Sequence, residues 1–156
     1  VAVDAVIASG PDVYNHNIET VRRLYPAFRS AGRYDWALEV LAHVASTATV
    51  MVTKSGLLVG LGETREEVEE TLRDLRQVGC LVATVGQYLR PTRDQAPVES
   101  YWTPEEFSAL ENFGRSIGLE VVAGPFVRSS FRSEEALTRV RRQRRLSVAT
   151  RPREGD

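Results

Sequence analysis

The stretch from Ser55 to Gly86 constrains the fold more than any other. There "ETREEVEETLRDLRQVG" is bounded by two apolar runs, "SGLLVGLG" before it and "CLVATVG" after it. Thr64 and Glu67 are spaced as a capping box and acids crowd the first turns. Val68, Leu72 and Leu75 recur on one face, and Gly79 ends the pattern. These features predict a helix from Thr64 to Gly79. The flanking runs are rich in β-branched and apolar residues and predict buried strands, the first centred on Leu57 to Leu61 with Gly56 as a break. Strand, helix, strand at this spacing implies two parallel strands joined by a right-handed crossover.

The alternation continues. After the long loop "QYLRPTRDQAPVESYW", Thr103 can cap a helix whose first position suits Pro104 and whose capping box is completed by Glu106. Phe107, Leu110 and Ile117 line its buried face, Gly118 closes it, and "LEVVAG" supplies a third strand. Upstream, Ile18, Val21, Leu24, Tyr25 and Phe28 fall at helical spacing. Asn15 or Asn17 would cap that helix and Pro26 would end or kink it. A second amphipathic helix is expected from Tyr34 to Val44, with Tyr34 and Trp36 as packing residues. Cys80 reads as a small core residue. The expected class is α/β, part of a parallel (βα) barrel or an open sheet, because a closed eight-unit barrel takes about 250 residues and this chain has 156. Residues 1–132 form the expected sheet-bearing unit, and 133–156 an arginine-rich helix with a polar tail.

Composition limits the function classes. A hydrophobic content of 42% supports one globular core, and a net charge of −1 gives no global field for nucleic acid or membrane. No apolar run reaches the ~20 residues of a membrane span, and the first residues lack the pattern of a secretory signal, so a soluble, cytoplasmic protein is expected. The single cysteine excludes an internal disulfide framework, and any metal site built from several thiolates of this chain alone. Lys54 is the only lysine among 20 basic residues.

In parallel α/β sheets, ligands sit at the carboxyl ends of the strands. Three loops should meet there: "GLGET", "GQYLRPT" and "GPFVRSSF". Gly60 and Gly62 permit close backbone approach, and the following helix start offers free N–H groups. Glu63 would repel phosphate, which points instead to a cofactor bearing an amine or hydroxyls. The cluster of Asn15, His16, Asn17 and Glu19 reads either as a solvated cap or as part of a site. His16 has no second His or Cys at metal-ligand spacing. Arg128-Ser129-Ser130 alone reads as an ordinary surface loop, with Ser133 available as the next helix cap.

In order along Pro11 to Phe131, "GPDVYNHNIETV", "TKSGLLVGLGET", "GCLVATVGQYLRPT", "VESYWTPEEF" and "GPFVRSSF" resemble successive motifs of the lipoyl synthases. The resemblance implies the carboxyl-terminal half of a partial (βα) barrel of the radical S-adenosylmethionine type. It implies an enzyme that inserts two sulfur atoms into an octanoyl chain carried on a lipoyl domain or carrier protein. The implied cofactors are S-adenosylmethionine and two 4Fe-4S clusters, one of them the sulfur source. The family's Arg-Ser-Ser motif supplies a serine oxygen to that second cluster, which corresponds to Ser130, with Ser129 as the fallback. Arg128 beside it would favour the alkoxide or guard the site. By the same carry-over Asn17 and Glu19 face S-adenosylmethionine with Asn15 and His16 nearby, and Gly60, Gly62 and Glu63 support its nucleoside part. Lys54 and Gln87 either line the cavity or fix a loop.

Two departures accompany the resemblance. Both cysteine triplets expected upstream are absent, so the implied partners include an amino-terminal half or a separate cysteine-bearing subunit. Phe131 stands where tyrosine is usual. A different class of reading is a non-catalytic module that uses Arg139, Arg141, Arg142, Arg144 and Arg145 on an acidic carrier or on RNA, although nucleic acid is not the expected partner.

Overall fold

The computed structural model describes residues 2–28, 33–130 and 133–149, apart from the side chains of residues 133 and 143–149. Four strands form one sheet: β1 (Val13–Asn15), β2 (Val52–Val59), β3 (Val82–Gln87) and β4 (Glu120–Gly124). All neighbours are parallel, and the strand order is the chain order. Helix α1 (Ala2–Ala8) precedes the sheet, and α2 (Tyr25–Phe28) follows a 3₁₀ turn at Arg22–Leu24. The crossovers are α3 (Tyr34–Thr47), α4 (Arg65–Gln77) and α5 (Pro104–Ile117), and α6 (Ser133–Ala149) follows β4. A doubly wound sheet reverses its strand order at a switch point, whereas this one does not, which is the arrangement of a partial (βα) barrel.

Alternation along the strands gives the sheet two different faces. Leu57, Val59, Ala83, Val85 and Val121 pack against Tyr34, Ala37 and Leu41 of α3, Val68, Leu72 and Leu75 of α4, and Phe107 and Leu110 of α5. Cys80 lies in the same core. Burying each of these Leu or Val side chains contributes roughly 1.5–3 kcal/mol. On the other face, Val52, Val82 and Val122 meet Val127 and the α6 residues Ala136 and Val140. Arg139 of α6 reaches Glu120 at 2.8 Å, and Arg141 pairs with Asp12, so the helix is pinned across the amino ends of the strands.

Both predicted capping boxes are present, at Thr64–Glu67 and Thr103–Glu106, and Gly118 takes the left-handed conformation that ends α5. Three expectations are corrected. The helix expected from a cap at Asn15 or Asn17 starts later: the chain follows the edge of β2 as far as Glu19, and helical turns begin only at Arg22. His16 N–H donates to Lys54 O (3.0 Å), Glu19 N–H to Gly56 O (2.9 Å), and Leu58 N–H to Glu19 O (2.9 Å). Pairing with β2 outweighs the helical spacing, and Pro26 lies in the first turn of α2, where a missing N–H costs nothing. Strand β2 begins at Val52 and runs through Gly56 without a break. Burial on both faces removes the periodicity that would have marked its start. Trp36 is 61% exposed on the outer side of α3, so it is not a packing residue. The predicted cap at Ser133 lies outside the described side chains.

Candidate functional site

The parallel register brings the loops after β1, β2, β3 and β4 to one rim. A pocket of about 150 Å³ opens there, lined by Asn17 and Glu19 after β1, Gly56 and Leu58 of β2, Thr84 and Gly86 of β3, and Arg128 and Ser129 after β4. On its floor the chain approaches its own glycines closely. A Cβ on Gly56 would stand 2.7 Å from Thr84 Oγ1 and 3.0 Å from Asn17 Oδ1, and one on Gly86 would stand 2.2 Å from the Val127 carbonyl.

Glu19 sits between this pocket and a neighbouring one, and its backbone has φ of 71°. That left-handed conformation is unfavourable for a residue with a Cβ. It is held by the two hydrogen bonds that tie Glu19 into the edge of β2. Asn15 is exposed and donates its side-chain amide to Asn17 Oδ1 (3.1 Å), orienting the Asn17 amide. His16 contributes its backbone N–H to β2.

Several residues read from the sequence as facing a cofactor serve the loops. The Glu63 carboxylate turns inward and accepts from Gly60 N–H (2.6 Å) and Leu61 N–H (2.9 Å), closing the turn that Gly60 and Gly62 make at positive φ. The space beside Gly60 is filled by the chain itself, since a Cβ there would stand 2.1 Å from Gln87 Nε2. Gln87 is buried. Its Nε2 donates to the carbonyls of Tyr88 (3.2 Å) and Ser100 (3.0 Å), and its Oε1 accepts from Trp102 N–H (3.0 Å). It therefore clamps both ends of the long loop after β3. The start of α4 is covered too: Arg23 bonds both oxygens of Glu67 and the Gly62 carbonyl.

That loop walls the neighbouring pocket, of about 330 Å³, with Tyr88, Asp94 and Gln95 on one side and Thr20, Leu58 and Leu61 on the other. Thr20 Oγ1 is buried there without a hydrogen-bond partner among the described residues. Such a group normally finds one.

Lys54 lies on the inner face of β2 and is 4% exposed. Its Nζ donates to the Ser129 carbonyl, and burial pushes its ammonium below the ordinary lysine value. Arg128 Nη1 donates to the Val127 carbonyl at 2.7 Å. Ser130 is exposed, next to the pocket but outside its lining, whereas Ser129 lines it. Phe131 lies outside the described residues. Burial pushes the Cys80 thiol up to about 12, so it stays protonated at neutral pH. Among the described residues, no group of three or more His, Cys, Asp or Glu side chains is placed to hold a metal ion. No described helix is long and apolar enough to cross a membrane.

Of the residues singled out in the sequence, the structure brings Asn17, Glu19, Arg128 and Ser129 to one pocket, which Gly56, Thr84 and Gly86 also line without having been singled out for it, and Thr20 lines the neighbouring pocket.

No family model matches the chain. It is 48% identical over 134 residues to the lipoyl synthase of Xanthomonas campestris pv. campestris (strain B100), covering 85% of this chain and 40% of that protein. To the lipoyl synthase of Xanthomonas oryzae pv. oryzae (strain MAFF 311018) it is 49% identical over the same length and shares. With that of Rubrobacter xylanophilus (strain DSM 9941 / JCM 11954 / NBRC 16129 / PRD-1) it shares 46% identity over 142 residues, 90% of this chain and 44% of the relative. A solved structure from Burkholderia cenocepacia J2315 overlays with a TM-score of 0.49 at 15% identity, covering 95% of this chain and 60% of the other, too loosely to carry an argument. The chain thus spans about two fifths of the length of the curated relatives it matches, in their carboxyl-terminal half. Over the stretch that it spans, the chain belongs to the lipoyl synthase family.

Proposed function

We propose that this chain forms the carboxyl-terminal half of a lipoyl synthase, whose complete form inserts two sulfur atoms into an octanoyl chain borne by a lipoyl domain or carrier protein. One observation supports the reading above the others: Asn17, Glu19, Arg128 and Ser129, from motifs more than 100 residues apart, converge on one pocket at the carboxyl ends of the strands.

S-adenosylmethionine fits the residues present. Asn17 offers an amide and Glu19 a carboxylate for its amino-acid end. Leu58, Leu61 and Tyr88 offer apolar walls for its nucleoside in the adjoining pocket, where the buried Thr20 hydroxyl lacks a partner among the described residues. When bound, S-adenosylmethionine supplies the radical with which the family attacks unactivated carbon. In this reading Asn15 holds the Asn17 amide, Glu63 and Gln87 hold the loops that wall the pocket, and Gly56 and Gly86 let Asn17 and the Val127 turn pack close to the strands.

An iron–sulfur cluster does not fit on the described residues alone. Cys80 is buried and protonated, and no other thiol exists in the chain. The cluster thiolates come, in this reading, from the remaining length of the family's protein or from a separate cysteine-bearing subunit. The serine assignment, Ser130 first and Ser129 second, rests on motif position. The alternative of an arginine-led binding module gains no support, because Arg139 and Arg141 are ion-paired within the fold.

The test joins this chain to the amino-terminal part of the Rubrobacter xylanophilus relative, with an octanoylated lipoyl domain as substrate and mass spectrometry as readout. Lipoyl product is expected. Ser130→Ala should reduce or abolish it while leaving S-adenosylmethionine cleavage largely intact, and Ser129→Ala should be milder. No lipoyl product from the iron-loaded chimera would sink the proposal, and normal product from Ser130→Ala would sink the serine's role.

A further inference from the structure

The turn carrying Arg128, Ser129 and Ser130 is fastened to the sheet at several points. Val127 N–H donates to Gly124 O at 3.1 Å, and the Val127 side chain is buried with Val52, Val82 and Val122. The Val127 carbonyl presses on Gly86, where no Cβ would fit. These contacts all act before Arg128. A further fastening, at Ser129 itself, comes from the opposite direction in sequence: Lys54 Nζ donates to the Ser129 carbonyl across 75 positions. The carbonyl of Ser129 and the N–H of Ser130 belong to one rigid peptide plane. A single bond to that oxygen therefore orients the backbone of both serines at once.

A buried lysine is an expensive way to fill an inner-face position, since desolvation of its charge is unfavourable and an apolar residue would avoid that cost. Its reach and its charged donor are what an apolar residue lacks, and charge-assisted hydrogen bonds are the stronger kind.

We propose that Lys54 is the positioning residue of the serine turn: from β2 it fixes the Ser129–Ser130 peptide and so sets how the two hydroxyls are presented at the rim. The inference deepens the reading above and rests on it only for what the serines do.

The test uses the full 156-residue chain. Trypsin cleavage after Arg128 reports release of the turn, and cleavage after Arg93, in the exposed loop following β3, serves as internal reference. In Lys54→Met the Arg128/Arg93 cleavage ratio should rise about tenfold, the loss of one hydrogen bond from a charged donor. The thermal midpoint should hold or rise, because the buried charge is gone. Lys54→Arg, which keeps a cationic donor, should stay within about threefold of the parent. An unchanged ratio in Lys54→Met would overturn the proposal. So would a lowered midpoint with both sites cut equally faster, or a Lys54→Arg variant as loose as Lys54→Met. Should Lys54→Met not accumulate, Lys54→Gln, polar but too short to reach the carbonyl, answers by the same ratio. A tight turn without lipoyl product in the chimera would sink the functional reading and leave the tether standing; the reverse pair of results would do the opposite.

Discussion

Glu19 joins strain and location in one residue. Its left-handed backbone costs an ordinary residue about 1–2 kcal/mol relative to glycine, yet it occurs between the two pockets. Glu19→Gly and Glu19→Ala both remove the carboxylate, so their difference isolates the backbone. Glu19→Ala should be less stable than Glu19→Gly by about 1 kcal/mol in urea titrations, and equal midpoints would mean that the dihedral carries no strain. If the proposed S-adenosylmethionine site is right, both should also bind it less tightly than the parent in equilibrium dialysis of the chimera. This conformation was not legible in the sequence, because nothing in "NIET" marks φ: the strain comes from pairing with β2, a contact made 37 or more positions away. Asn17, Arg128 and Ser129 were legible as candidates only through the order of the motifs along the chain, since Arg-Ser-Ser alone reads as an ordinary surface loop. Gly56, Thr84 and Gly86 were not, since which face a strand residue occupies depends on a register that shifts with every position of the strand's start.

Helix α4 was the most legible element, and its cause is local: a capping box needs residues only three apart. Its amino end is also where solution pH acts. Hydrogen bonding from Arg23, the largest cause, holds the Glu67 carboxyl below its usual value of 4.5. A carboxyl depressed in the folded state lends stability above its unfolded value, and that stability is lost as pH falls through the lower folded one. Denaturation midpoints should therefore fall between pH 5 and pH 3. Glu67→Gln should cost about 1–2 kcal/mol at pH 7 and flatten that part of the curve; an unchanged slope would place the dependence on Asp4 or Glu66, which are also depressed. The start of the helix expected after Asn15 was misplaced for the converse reason. Ile18 satisfied a local spacing rule, but the chain as far as Glu19 takes its structure from pairing with β2, and the helical turns begin only at Arg22.

Among the described residues neither β1 nor β4 is paired on its outer side, so the sheet stays open where a barrel would close. The two edges are not equally bare. Glu120 N–H donates to Leu81 O (3.1 Å), so by alternation Ala123 N–H points away from β3, and there it donates to Glu111 Oε1 at 3.1 Å. A side chain of α5 thus occupies part of the β4 edge. Glu111→Ala should cost about 1–2 kcal/mol and raise self-association in sedimentation velocity; a monomer as clean as the parent would mean that Glu111 guards nothing. The parallel class and the rim of loops were legible across the whole chain, since alternation of elements is enough to imply both. The placement of α6 across the inner face was not, because among its described side chains only Ala136 and Val140 are fully buried in a stretch otherwise crowded with charge. The lone lysine has a last consequence, for kinetics. The folded chain shows solvent almost no lysine side chain, since Lys54 is its only one and is buried. An acylating reagent should therefore modify that side chain only in molecules that have opened, at a rate set by how often the Arg128–Ser130 turn lifts, which makes the residue a built-in clock for the breathing of the rim.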